Sequence, residues 1–170
     1  MESFLDRFQE IAFQHIEKGR AKSIAFVFYD FNDHEFKRIL KDQGVFAQLD
    51  RLSGQDLSIF YLHSGSDQRL KSFNATLMTA LGVNEKAKTP CVVFCKATPD
   101  GFTDISIANL ESANLVHGFH ELYGVFESYL KDENNAPDPK YVVWLKGSFR
   151  FLSLESIKAL VRELLKGGMF

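Results

Sequence analysis

Along the first half of the chain, apolar positions recur in two alternating rhythms, and each rhythm predicts an element. Residues 4–18 carry Phe4, Leu5, Phe8, Ile11, Ala12 and Ile16 at steps of three and four, the stripe of an amphipathic helix, bounded by Ser3 and Gly19. The run from Ile24 to Tyr29 then has no polar alternation, which predicts a short strand covered on both faces. Asn32 with Glu35 makes an Asx form of the capping box ahead of a second helical stripe of Phe36, Ile39 and Leu40. That helix is expected to break at Gly44, resume through Phe46, Leu49 and Leu52, and stop at Ser53-Gly54. Leu57 to Leu62 repeats the buried-strand pattern. Ser66 or Asp67 opens a third helix with Leu70, Phe73, Leu77 and Leu81 on one face and Gly82 past its end.

The second half changes character. Thr89-Pro90 leads directly into Cys91-Val92-Val93-Phe94-Cys95, a third strand. Thr98-Pro99-Asp100-Gly101 is a turn signal. The alternation of Phe102, Ile105 and Ile107 completes an antiparallel hairpin. A helix is expected from Ser112 to Leu130, carrying Leu115, Phe119, Leu122, Phe126 and Tyr129. Asp132 to Pro139 is rich in Pro, Asn and Asp and serves as a linker. A strand at 141–145 and a helix from Leu154 to Lys166 close the chain, with Ser153 as N-cap and Leu152 stapled to Ile157. Strand–helix–strand spacing over 24–62 favours a parallel pair with a right-handed crossover. All four strands from 24 to 107 are expected in one sheet.

Composition changes this picture little. The chain has 170 residues, 45% hydrophobic and 25% charged, which fits one globular domain over 1–170 that needs no metal or disulfide to hold a core. Twenty Lys and Arg against 22 Asp and Glu leave a net charge of -2, so nothing calls for nucleic acid as a partner. No apolar run approaches the roughly 20 residues that span a bilayer, so no membrane partner is expected. Glu2 and Asp6 with no basic stretch argue against a secretory signal at Met1. Two cysteines are no disulfide framework, and a cytoplasmic location is the expectation. Phenylalanine stands out at 17 residues, and most fall at inward-facing periods, which predicts an aromatic core.

The order β-α-β, helix, proline-led strand, hairpin, helix resembles the thioredoxin-like fold. Thr89-Pro90 stands where that fold carries its cis-proline, and Phe28-Tyr29-Asp30-Phe31 stands where its first core strand runs toward the active-site helix. The resemblance implies an α/β fold, a mixed sheet flanked by helices, with its core over about 23–131. The N-terminal helix and a strand–helix extension over 140–170 are additions. Redox members place Cys-x-x-Cys between that first strand and its helix, where the helix N-terminus depresses a thiol pKa. Here the segment is Phe31-Asn32-Asp33-His34-Glu35-Phe36, without cysteine, so the resemblance implies the fold and argues against dithiol chemistry.

Candidate chemistry gathers at one sheet edge. Asp33, His34 and Glu35 at a helix N-terminus offer either a histidine general base held by a carboxylate or ordinary capping by first-turn acids; capping is the commoner use. His63-Ser64-Gly65-Ser66-Asp67 also joins a strand to a helix. It has one glycine and no lysine, so it is no phosphate-binding fingerprint. Parallel strands bring both loops to the edge where open α/β sheets bind ligands, and the resemblance adds Thr89 and Pro90 there. The ligand-binding residues expected are therefore Asn32, Asp33, His34, His63, Ser64, Thr89 and Pro90. His117 and His120 share a helix face but have no further ligand at metal-site spacing; no metal and no cofactor are expected. Arg7, Lys18, Arg20 and Lys22 form a solvated face around a helix end.

The function expected is that of a non-catalytic thioredoxin-like module binding a protein or peptide at the cis-proline edge, where the resemblance implies that the residue before the proline, Thr89, pairs its backbone with an extended ligand. The alternative is a thiol-dependent redox enzyme using Cys91. A third reading places a small anion or nucleotide at the same edge. The terminal helices are free to pack on the sheet or to build a homodimer. Cys91 and Cys95, four residues apart on one strand, would stand roughly 13 Å apart, beyond the about 7 Å a disulfide tolerates, so both thiols are expected reduced and buried.

Overall fold

The computed structural model describes residues 22–53, 57–61, 65–98, 101–110, 118–131 and 142–146. They form five strands and four helices: β1 (Lys22–Phe28), α1 (His34–Lys41), α2 (Gln43–Ser53), β2 (Leu57–Tyr61), α3 (Asp67–Ala80), β3 (Cys91–Thr98), β4 (Gly101–Leu110), α4 (Gly118–Lys131) and β5 (Val142–Lys146). The helices expected over 4–18 and 154–166, the linker, His63, Ser64 and His117 lie outside the described residues.

The strands make one mixed sheet in the order β2-β1-β3-β4-β5. β1 and β2 are parallel, and each of the other neighbouring pairs is antiparallel. The expected sheet, with its first two strands parallel and its hairpin antiparallel, is present, and β5 pairs with β4 from Leu110↔Val142 to Ser106↔Lys146.

β1 lies inside the sheet, which explains its unbroken apolar run. Side chains alternate between faces, and both faces of this strand are covered. Ala25, Val27 and Tyr29 join Val92, Phe94, Ala108 and Leu110 in a core closed by Phe36, Leu40, Leu49, Leu122, Val125 and Phe126 of α1, α2 and α4. On the opposite face Ile24, Phe26 and Phe28 lie across from Cys95, Val93 and Cys91. There Phe26 packs 6.0 Å from Phe60 and Phe28 packs 6.2 Å from Phe73 of α3, centroid to centroid. Each of these side chains removes about 1.5–3 kcal/mol worth of apolar surface from water, and among the described residues Phe26, Phe28, Phe36, Phe60, Phe73, Phe94 and Phe126 are buried in this two-sided aromatic core. Tyr129 adds a stacked ring on Phe94, 4.0 Å between centroids.

Helix boundaries follow capping chemistry. The N-cap of α1 is Asp33, one residue later than the capping box predicted, with Phe36 N–H donating to Asp33 Oδ1 at 3.3 Å. The break between α1 and α2 falls at Asp42, two residues before Gly44. The Asp42 N–H still bonds Ile39 O at 3.2 Å, while its carboxylate accepts from the N–H groups of Gly44 and Val45. One aspartate thus ends a helix and starts the next. Ser66 caps α3 through Arg69 N–H, and Gly82 at φ 70° closes it, a left-handed conformation that glycine adopts without steric cost.

Candidate functional site

β1 and β2 end at the same sheet edge, and the loop before β3 returns to it. The chain leaves β1 at Tyr29, just past the last β1–β3 pair, Phe28↔Cys91. The Tyr29 carbonyl accepts from Nδ2 of Asn74, a buried side chain on α3, at 2.9 Å. A buried amide on an otherwise apolar helix face is costly unless it is bonded; this one satisfies a main-chain acceptor through Nδ2, while its Oδ1 is buried without a hydrogen-bond partner.

The next residue, Asp30, turns the chain, with Asp33 N–H donating to its carbonyl at 3.0 Å. Its carboxylate accepts from the Thr89 hydroxyl at 2.6 Å, tying the end of β1 to the loop before β3. The Thr89–Pro90 peptide is cis, and Pro90 O accepts from Leu110 N–H of β4 at 2.9 Å.

A second asparagine holds the same loop. Asn109 of β4 accepts from Lys88 N–H at 2.9 Å and donates from Nδ2 to Lys86 O at 3.0 Å. The loop is therefore bonded at Lys86, at Lys88, through the Thr89 side chain and at Pro90. Among the described residues, the N–H and C=O of Thr89 itself make no hydrogen bond. Thr89 is half-buried, and the residues on both sides of it are hydrogen-bonded.

The other expected site residues have structural uses. Asn32 accepts through its main-chain oxygen from His34 N–H. Asp33 is committed to the cap. Burial pushes its carboxyl up, opposed by the Phe36 hydrogen bond and reinforced by the neighbouring Asp30. The His34 imidazole is exposed and makes no side-chain hydrogen bond or ion pair among the described residues; Asp33, whose carboxyl His34 lowers electrostatically, serves as the helix cap. Asn32, Asp33, Thr89 and Pro90 are brought to one edge; His34 stands beside them without a role in that network.

The chemistry at this edge disfavours both other readings. Cys91 follows Pro90 and is buried, and its thiol is pushed up to about 12 by burial and then by the Asp30 charge. Cys95 is raised further by burial alone. Both thiols are free, but a nucleophilic thiol needs its thiolate form, and here both influences hold Cys91 protonated. An anion at the same place would meet Asp30 and Asp33. Three of the nearby cations are engaged: Lys71 with Asp67 at 2.8 Å, Arg38 with Glu35 at 3.0 Å, and Lys37 over the Phe31 ring at 3.5 Å. Among the described residues, no group of three or more His, Cys, Asp or Glu is placed to hold a metal ion, and no helix is long and apolar enough to cross a membrane.

Sequence reasoning missed Asn74 and Asn109. Both interrupt an apolar period: Asn74 sits four residues after Leu70 on the buried stripe of α3, and Asn109 continues the phase of Ile105 and Ile107 on β4. A polar residue at an inward position was the available signal. No family model, no curated protein and no solved structure matches this chain.

Proposed function

We propose that this chain is a non-catalytic module of the thioredoxin-like type that binds a protein or peptide in extended form at the edge formed by Asp30–His34 and Thr89–Pro90. The observation that carries the proposal is the Thr89 backbone. Among the described residues, a donor and an acceptor that normally find a partner make no hydrogen bond, while Lys88 and Pro90 on either side are bonded. Held groups of this kind suit β-augmentation, in which main-chain hydrogen bonds supply affinity and the cost of ordering the receptor is already met. The strand order β2-β1-β3-β4, with its parallel first pair and antiparallel hairpin, and the position of Thr89–Pro90 beside the end of β1 support the thioredoxin-like assignment. The raised Cys91 thiol and the absence of cysteine from residues 31–36 support a binding role over a redox one.

A random dodecapeptide phage library panned on the immobilised full chain tests the proposal. Selected peptides are expected to lose far more affinity for Thr89→Pro, which removes the backbone donor, than for Thr89→Val, which removes the hydroxyl bonded to Asp30 and keeps both backbone groups. Peptides that bind Thr89→Pro as well as the parent chain would place recognition elsewhere, and a library that yields no binder would defeat the peptide-binding reading.

A further inference from the structure

We infer that Asn109 is a positioning residue of this recognition edge: its carboxamide stands in for a neighbouring strand and holds the 86–88 segment so that Thr89 presents its backbone to the ligand. The inference rests on the peptide-binding reading above and adds to it the residue that shapes the receptor.

The geometry is specific. One side chain bonds the carbonyl of Lys86 and the N–H of Lys88, skipping Ala87. A residue in a parallel ladder makes this pattern with the two residues that flank its opposite number, through slanted and evenly spaced bonds. On the other side of the loop, Lys86 and Ala87 donate their N–H groups to Val83 O at 3.0 and 2.8 Å, which completes the turn out of α3. Main-chain groups thus bind the segment through Ala87, and Leu110 N–H binds it again at Pro90. Among the described residues, the stretch between has two attachments, Asn109 at Lys88 and Asp30 at the Thr89 hydroxyl. Asn109 is anchored in β4 opposite Cys91, so the loop is referred to the sheet.

The residue type is required as well as the position. Aspartate keeps an acceptor for Lys88 N–H but sets a carboxylate oxygen against Lys86 O. Leucine fills similar space and makes neither bond. The side chain is only half-buried, so these changes act on the loop more than on the core.

The test uses the full 170-residue chain with Asn109→Leu and Asn109→Asp. In the free protein, the backbone 15N heteronuclear NOE at Lys88 and Thr89 is expected to fall in Asn109→Leu, while amides of β1 keep theirs. A dodecapeptide selected on the parent chain is expected to bind Asn109→Leu about tenfold more weakly with little change in Tm, because the receptor must now be ordered on binding. Unchanged NOE values at Lys88 and Thr89 would overturn the inference, as would a loosened loop that binds the peptide with parental affinity. A library that yields no binder would defeat the peptide-binding reading, and the NOE comparison would still decide whether Asn109 holds the loop. If Asn109→Leu does not fold, Asn109→Asp, which keeps the acceptor for Lys88 and replaces the donor to Lys86 by a repelling oxygen, carries the same two measurements.

Discussion

The interior of β1 and the point where it ends are adjacent in sequence and are held by different physics. From Ile24 to Tyr29 the chain is fixed by apolar area on two faces, shared among many contacts, so that no single atom is decisive. At its end single hydrogen bonds to distant residues are added: Asn74 at Tyr29, Thr89 at Asp30 and, in the loop beside them, Asn109 at Lys88. The first kind of order resists change and offers no handle to a ligand. The second leaves the backbone groups of Thr89, among the described residues, without a hydrogen bond. On the proposed reading, one strand serves as scaffold along its length and as a support for recognition at its end.

The interior is most sharply tested by its thiols. Cys91 and Cys95 are buried beneath the same aromatic face as Phe26 and Phe28, so labelling by an aromatic disulfide at pH 7 should require opening of the sheet. Rates on the order of 10³-fold or more below those in denaturant are expected. The pH dependence has a definite sign. The folded Cys91 pKa, about 12, lies above its ordinary value of 9.0. Its contribution to stability is therefore complete below about pH 9 and is lost as pH rises from 9 toward 12. Rapid labelling of Cys91 at neutral pH would move it from the interior to the site and revive the thiol-enzyme reading.

Truncation inside the strand comes next in size. Phe26→Ala should cost about 3–5 kcal/mol in denaturant unfolding, since the ring packs against Phe28 and Phe60 and is 1% exposed. At the strand end, Asn74→Ala removes one bond and leaves the Tyr29 carbonyl without its donor, for about 1–3 kcal/mol. A larger loss from Asn74→Ala than from Phe26→Ala would reverse the contrast drawn between the two regions.

The smallest effect belongs to the turn that follows. Asp33→Ala removes the cap of α1 and should cost about 1 kcal/mol. Asp33→Asn keeps a capping oxygen and drops the charge. Because burial raises the Asp33 pKa above 3.8 in the folded state, the stability it lends is complete below pH 3.8 and declines as pH rises through its folded value. Asp33→Asn should therefore gain on the parent chain as pH rises from about 3 to 7, and chemical denaturation across that range would show it. A gap that moves the other way would mean that the helix dipole outweighs burial at this carboxylate.

These two regions were also unequally legible. Apolar runs announced β1, β2 and β3, because burial on both faces requires them, and the three- and four-residue stripes announced α1, α3 and α4. The cap of α1 came out one residue early because Asn32 and Asp33 are both good caps and only the backbone decides between them. Asp42 as the helix break was hidden by the more familiar signal at Gly44. A bulge between Phe94 and Lys96, with Asp104 at φ 51° on the facing strand, had no signature in the alternation of 102–107. The site's positions were partly visible, since Asn32, Asp33, Thr89 and Pro90 stand at element ends. Its network was not: Asn74 bonds a residue 45 positions away and Thr89 one 59 away, and pairs so distant leave no periodicity to read.

The central claim is that recognition occurs through the Thr89 backbone at the polar end of the scaffold. It is tested most directly by mapping amide chemical-shift changes in the 15N-labelled full chain as a library-selected peptide is added. The largest changes are expected at Thr89 and Cys91 and across Asp30 to His34, with the amides of Ile24 to Val27 nearly still. Changes centred on another surface, such as the exposed side of α2, with Thr89 unmoved, would contradict the account.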